Sequence, residues 1–141
     1  MPHQISYLIE KRVIYHRFNG HITIDEIREG SAAAAELIRG GGPLVHDIVD
    51  ASSVTDLDFH LRQLFTATGF IKEPQLGWMI LVGGNPLVRF FATMLGQVGR
   101  VNFHTANTLD EAFAILQRVD PSLADWSPMR ATLYPDLRRA V

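Results

Sequence analysis

Six side chains able to do acid–base or metal chemistry crowd into one stretch, Leu44–Leu61 (LVHDIVDASSVTDLDFHL): His46, Asp47, Asp50, Asp56, Asp58 and His60. A His beside carboxylates can move a proton or hold a divalent cation. The local pattern argues against both uses. Neighbouring strand residues face opposite sides of a sheet, so His46 and Asp47 diverge. Asp56 and Asp58 follow Thr55, which can cap a helix, and acids in a first helical turn complement its dipole. No HExxH, no nucleophile elbow and no Ser-His-Asp spacing occurs. The stretch is therefore expected to hold no catalytic residue and no metal, and the protein is expected to use no cofactor.

Other polar features are sparser. Gly83-Gly84-Asn85-Pro86 follows an apolar run and opens a helix, with Asn85 as cap and Pro86 at the first position. Strand, glycines, helix amino end is an order that can hold an anion. Gly83, Gly84 and Asn85 are thus a candidate anion site, although the Lys-Ser/Thr of a phosphate loop is missing. Gly40-Gly41-Gly42 invites the same thought but follows a helix instead of preceding one. His16 falls between Ile14 and Phe18 on one strand face and reads as a half-buried sheet residue. His21 and His104 fall at element ends and read as surface residues.

Composition narrows the function classes. Thirteen basic residues face fifteen acidic ones, a net charge of −2, with no basic run. Such a balance gives no field for nucleic acid, so no nucleic-acid partner is expected. Cysteine is absent, which excludes disulfides, thiolate nucleophiles and Cys-based metal sites. No segment approaches the ~20 apolar residues of a membrane span, and the start MPHQISYLIEKR lacks the features of a secretory leader. A soluble cytoplasmic protein is expected.

The elements that must position these residues follow from periodicity. Ile5–Ile9 and Val13–Phe18 read as a hairpin that Asn19-Gly20 ends. Thr23-Ile24-Asp25-Glu26 is a capping box for a helix to about Arg39, burying Ile24, Ile27, Ala34, Leu37 and Ile38. Gly40-Gly41-Gly42-Pro43 stops that helix. Leu44–Val49 is a third strand with Asp50–Thr55 as its exit loop. Leu57, Leu61, Leu64, Phe65 and Thr68 then recur at helical spacing. Trp78–Val82 (WMILV) fits a strand covered on both faces. In Leu87–Val98 the apolar residues span an arc of roughly 160°, wider than packing on a sheet requires. Val88, Phe91, Leu95 and Val98 are therefore a candidate interface or apolar-ligand surface. Val101–His104 is a last strand, and Thr108-Leu109-Asp110-Glu111 a second capping box for a helix to Val119. The expected architecture is a single α/β domain: a five-stranded mixed sheet, an opening antiparallel hairpin then parallel strands, with four helices. Residues 1–120 form the domain, and 121–141 an extension packed on the core or a neighbour.

The segment Asp50-Ala51-Ser52-Ser53-Val54-Thr55-Asp56-Leu57-Asp58 resembles the signature of STAS domains, the anti-sigma-factor antagonist family. That signature is an apolar strand ending in Asp, then x-Ser-x-Val, an apolar residue, Asp, and a Ser/Thr-rich helix start. Asp50, Ser52, Val54, Leu57 and Asp58 match it in order. The opening strands, the helix begun by HITIDE and the WMILV strand fit the family's element order, so the resemblance covers about Ile5–Val119. It is similar to a divergent STAS-like group of small bacterial proteins. The resemblance implies a STAS-like fold and a non-enzymatic interaction or regulatory module. It implies a protein partner met by Asp50, Ser52, Ser53, Asp58, Phe59 and His60, and a homodimer. In antagonist members a Ser or Thr just after the second Asp is phosphorylated. Here Phe59 and His60 hold those positions and Leu61 replaces the usual Gly, so the usual phospho-switch is not implied. The apolar arc supports an alternative, a binder or sensor of a small apolar ligand such as a lipid.

Overall fold

The computed structural model describes residues 3–126. It contains strands β1 (His3–Ile9), β2 (Val13–Thr23), β3 (Val45–Asp58), β4 (Leu76–Val82) and β5 (Asn102–Ala106). Between and after them run helices α1 (Ile24–Arg39), α2 (Leu61–Ala67), α3 (Pro86–Val98) and α4 (Leu109–Val119). Short 3-10 turns follow α2 (Gly69–Lys72) and α4 (Pro121–Trp126). The strands pair in sequence order, β1-β2-β3-β4-β5. β1 and β2 are antiparallel and the rest parallel. This is the expected mixed sheet with four α-helices among the described residues. No helix among them is long and apolar enough to cross a membrane. Most of the extension 121–141 lies outside the described residues. Within them, Leu123 is buried in the core that α4 covers.

The strand order dictates the layers. Each parallel step goes the same way across the sheet, and right-handed crossovers then put α1, α2 and α3 on one face. Among the described residues α4, after the last strand, covers the other, with Leu123 of the turn that follows it. The two cores match. Ile48, Ile80, Phe113 and Leu116 fill the α4 face. Ile14, Ile38, Val45, Met79 and Leu95 fill the three-helix face. β4 is covered on both sides, as the WMILV run predicts.

Two of the boundaries that differ from the sequence reading lie where the candidate chemistry was concentrated. β2 does not stop at Asn19-Gly20. It continues to Thr23 through two register shifts, with Gly20 at φ 68° absorbing the distortion. That extension offers β3 a partner beyond Asp50, and β3 runs on to Asp58. Asp50–Thr55 is therefore strand, not exit loop. Thr55, Asp56 and Asp58 do not start a helix. His60 occupies the N-cap position instead, its backbone N–H donating to Gln63 Oε1 at 2.8 Å, and the first turn of α2 carries no acid. Asp56 and Asp58 face His21 across the strand pair, at 2.6 Å and 3.5 Å from its two ring nitrogens. The bond from Asp56 raises the pKa of His21, and His21 in turn lowers that of Asp56. His21 is thus a surface residue two positions from the end of β2.

Candidate functional site

His46 and Asp47 do face opposite sides of β3. His46 lies on the α4 side, where its Nδ1 accepts from the Trp78 N–H at 2.9 Å. Nε2 must then carry the proton, which it donates to Asp120 Oδ2 at 2.8 Å. Burial lowers the pKa of His46, although Asp120 pulls the other way. Asp120 is held below the usual range because bonds from Ser122 and His46 outweigh its burial. This contact ties the end of α4 to the sheet. Asp47, on the three-helix side, is fully buried, and burial raises its pKa to about 7.

The six residues assigned to a partner surface separate into inside and outside. Asp50 is 1% exposed. Its Oδ2 accepts from the Tyr15 hydroxyl at 2.5 Å, and its Oδ1 from the Ser52 N–H at 3.0 Å and the Ser52 hydroxyl at 2.6 Å. Asp50 therefore cannot meet a partner; it fastens β3 to β2 and shapes the chain at Ser52. Ser53 is half-buried and accepts from Arg17 at 3.3 Å. Ser52, Asp58 and His60 are exposed, and Phe59 is half-buried. No three His, Asp or Glu among the described residues are grouped to hold a metal ion.

Several donors of the loop before α3 are engaged within the fold. Gly83 N–H goes to the Ala106 carbonyl at 2.9 Å, and Asn85 Oδ1 caps the Val88 N–H at 2.9 Å. Asn85 Nδ2 reaches the Thr55 carbonyl at 3.4 Å, tying the loop to the extension of β3. Gly83 and Gly84 take φ of 69° and 93°, and a Cβ on Gly83 would lie 2.8 Å from Ser52 Cα. The glycines let two backbones approach here.

The wide apolar arc of α3 faces two ways. Val88 and Leu95 are buried and Phe91 half-buried against the sheet. Leu87, Phe90 and Val98 point outward, 49%, 54% and 59% exposed. With half-buried Met94 they recur at spacings of three, four and four, which makes one uncharged stripe on the outer face. Val98 thus belongs with the outer stripe, not with Val88, Phe91 and Leu95. The Phe59 ring lies 6.0 Å from Phe91, and Phe91 lies 6.3 Å from Phe90, so the end of β3 adjoins this stripe.

Beneath α3 is a feature with no clear sequence signal: a cavity of about 110 Å³ between the sheet and α1, α2 and α3. It sits where the covering layer is shortest, since α2 has only seven residues. Its walls include Val88, Phe91 and Leu95 of α3, Phe59, and Met79 of β4. His16, 4% exposed, lines it as well. The alternation of β2 put His16 on the face of Ile14 and Phe18, but only the packing of α1 encloses it.

No family model matches the chain, and no curated protein matches it. Solved structures do. An uncharacterized protein of the DUF3478 family with a SpoIIAA-like fold, from Shewanella loihica PV-4, superposes with a TM-score of 0.59 at 12% identity, covering 81% of this chain and 91% of that one. The unphosphorylated anti-sigma factor antagonist SpoIIAA gives 0.59 at 15% identity over 82% and 97%. The phosphorylated Bacillus cell fate determinant SpoIIAA gives 0.54 at 16% over 81% and 98%. The chain has the SpoIIAA-like, STAS-type fold.

Proposed function

We propose that this SpoIIAA-like chain is a non-enzymatic regulatory module that works by binding a protein partner. Its docking surface is the outer stripe of α3, Leu87, Phe90, Met94 and Val98, with Asp58, Phe59 and His60 beside it. One observation carries this reading: large apolar side chains, about half exposed, lie in register along one helix face that the sheet does not cover. Such patches mark interaction surfaces. The likeness to anti-sigma factor antagonists of the SpoIIAA type supports the non-enzymatic part. With Phe59-His60 where the fold's antagonist members carry hydroxyls, binding is not switched by phosphorylation there.

Affinity capture from a lysate of the source cells, with wild-type and Phe90→Asp baits compared quantitatively, tests this. A protein enriched on wild type and lost on the variant is the expected result. Because Phe90 is outside the core, the variant should lose less than about 1 kcal/mol of folding stability. Identical capture by the two baits contradicts the proposal. A second reading, a carrier of a small apolar molecule, is favoured by the cavity under α3.

A further inference from the structure

The cavity has almost wholly apolar walls and one unsatisfied polar group. Three side chains with polar atoms line it: His16, Ser31 and Thr68. Two are committed to the fold. Ser31 Oγ accepts from the Phe70 N–H at 3.2 Å, and the Thr68 hydroxyl donates to the Leu64 carbonyl at 2.7 Å. His16 Nε2 is buried and has no hydrogen-bond partner among the described residues. Leaving a buried polar atom unpaired costs about 1–3 kcal/mol. A lone water would meet few open partners here, where buried waters ordinarily make about three hydrogen bonds.

The fold makes room for this imidazole. A Cβ on Gly30 of α1 would lie 2.5 Å from His16 Cε1 and 2.9 Å from Nε2, so only a glycine admits the ring. The Phe18 ring packs against it at a tilt of 32°, with ring centres 4.2 Å apart. Burial, and then the neighbouring His3, lowers the pKa of His16 to about 3, so the ring is neutral at physiological pH. A neutral imidazole has one donor nitrogen and one acceptor nitrogen. A hydroxyl can donate and accept, so it suits Nε2 in either tautomer. A carboxylate or phosphate would be poorly served, since no Lys or Arg lines the cavity.

Size sets the other limit. A closed apolar cavity of about 150 Å³ takes benzene; this one, about 110 Å³ but partly open to the surface, suits one small ring or a short chain of similar bulk. We propose that this cavity binds a small neutral molecule with an apolar body and one hydroxyl, in the size class of a phenol, held by a hydrogen bond to His16 Nε2. The proposal rests on the carrier reading and adds the anchor and the ligand class.

Phenol and toluene test it, because they match in heavy atoms and differ in the hydroxyl. Calorimetric titration of the full chain, with amide shift mapping, should show phenol binding at least about tenfold tighter than toluene. His16→Leu should remove that preference while toluene still binds, and His16→Gln, which keeps a donor and an acceptor, should retain part of it. Ala92→Phe, which fills the cavity from α3, should abolish both. Equal binding of the two probes to wild type overturns the His16 anchor but leaves the carrier reading standing. So does a preference that survives in His16→Leu. Failure of both probes to bind at millimolar concentration overturns the carrier reading as well, and so does binding that Ala92→Phe leaves unchanged. If His16→Leu does not fold, the wild-type contrast and His16→Gln decide the matter.

Discussion

Asp47 lies between Ile14 and Met79 in the sheet, fully buried, and neither carboxylate oxygen has a hydrogen-bond partner among the described residues. Burial raises its pKa from 3.8 to about 7. Below both values the folded and unfolded chains each hold the proton. Between them only the unfolded chain releases it, so folding loses about 1.4 kcal/mol per pH unit as pH rises through this window. Asp47→Asn should therefore gain stability over wild type progressively from pH 4 to 7 and level off above that. Denaturant titrations across this range check it, and parallel pH profiles for the two proteins would refute it. The Asp50 carboxylate, by contrast, accepts three hydrogen bonds. Asp50→Ala should cost about 1–3 kcal/mol by removing the buried acceptor of three hydrogen bonds, and should leave partner capture unchanged per folded molecule. From the sequence these two acids looked like members of one polar cluster. Strand alternation separated His46 from Asp47 correctly, but it could not show that Asp50 turns inward. That depends on Tyr15, which lies 35 residues away.

Elements with explicit end signals were legible in advance. Thr23, Asn85 and Thr108 all cap the helices they were expected to cap, each accepting a backbone N–H. Asn85→Ala should accordingly cost about 1 kcal/mol, measurable by thermal unfolding. The end of β3 was not legible, for a physical reason. Its residues past Asp50 have little periodicity of their own, and they form strand because β2 passes through its bulges and pairs with them. Thr55 with two following acids has the composition of a helix start, and long-range pairing overrode that local preference. The same region fixes the glycine loop. Gly83→Ala should destabilise by about 1–3 kcal/mol, since it adds strain at positive φ and a clash with the Ser52 backbone. An exposed Gly69→Ala, where a Cβ meets nothing within 4 Å, is the control. A Gly83→Ala protein as stable as that control would contradict the close approach.

The sheet and its two coverings set what the whole molecule offers to others. Sequential parallel strands gather three helices on one face, and the short α2 leaves space beneath α3. One helix thereby serves two surfaces, an inner one toward the cavity and an outer one toward solvent. The sequence showed an apolar arc too wide for a single packed face. How it divides emerges only once α3 is laid on β4 and β5, which puts Val88 and Leu95 inside and Leu87, Phe90 and Val98 outside. The proposed function rests on that outer surface. Amide hydrogen exchange of the chain alone and in complex with its captured partner tests the claim most directly. The account predicts added protection over residues 86–98 and 58–60 of the chain. Protection confined to α4, on the opposite face of the sheet, would contradict it.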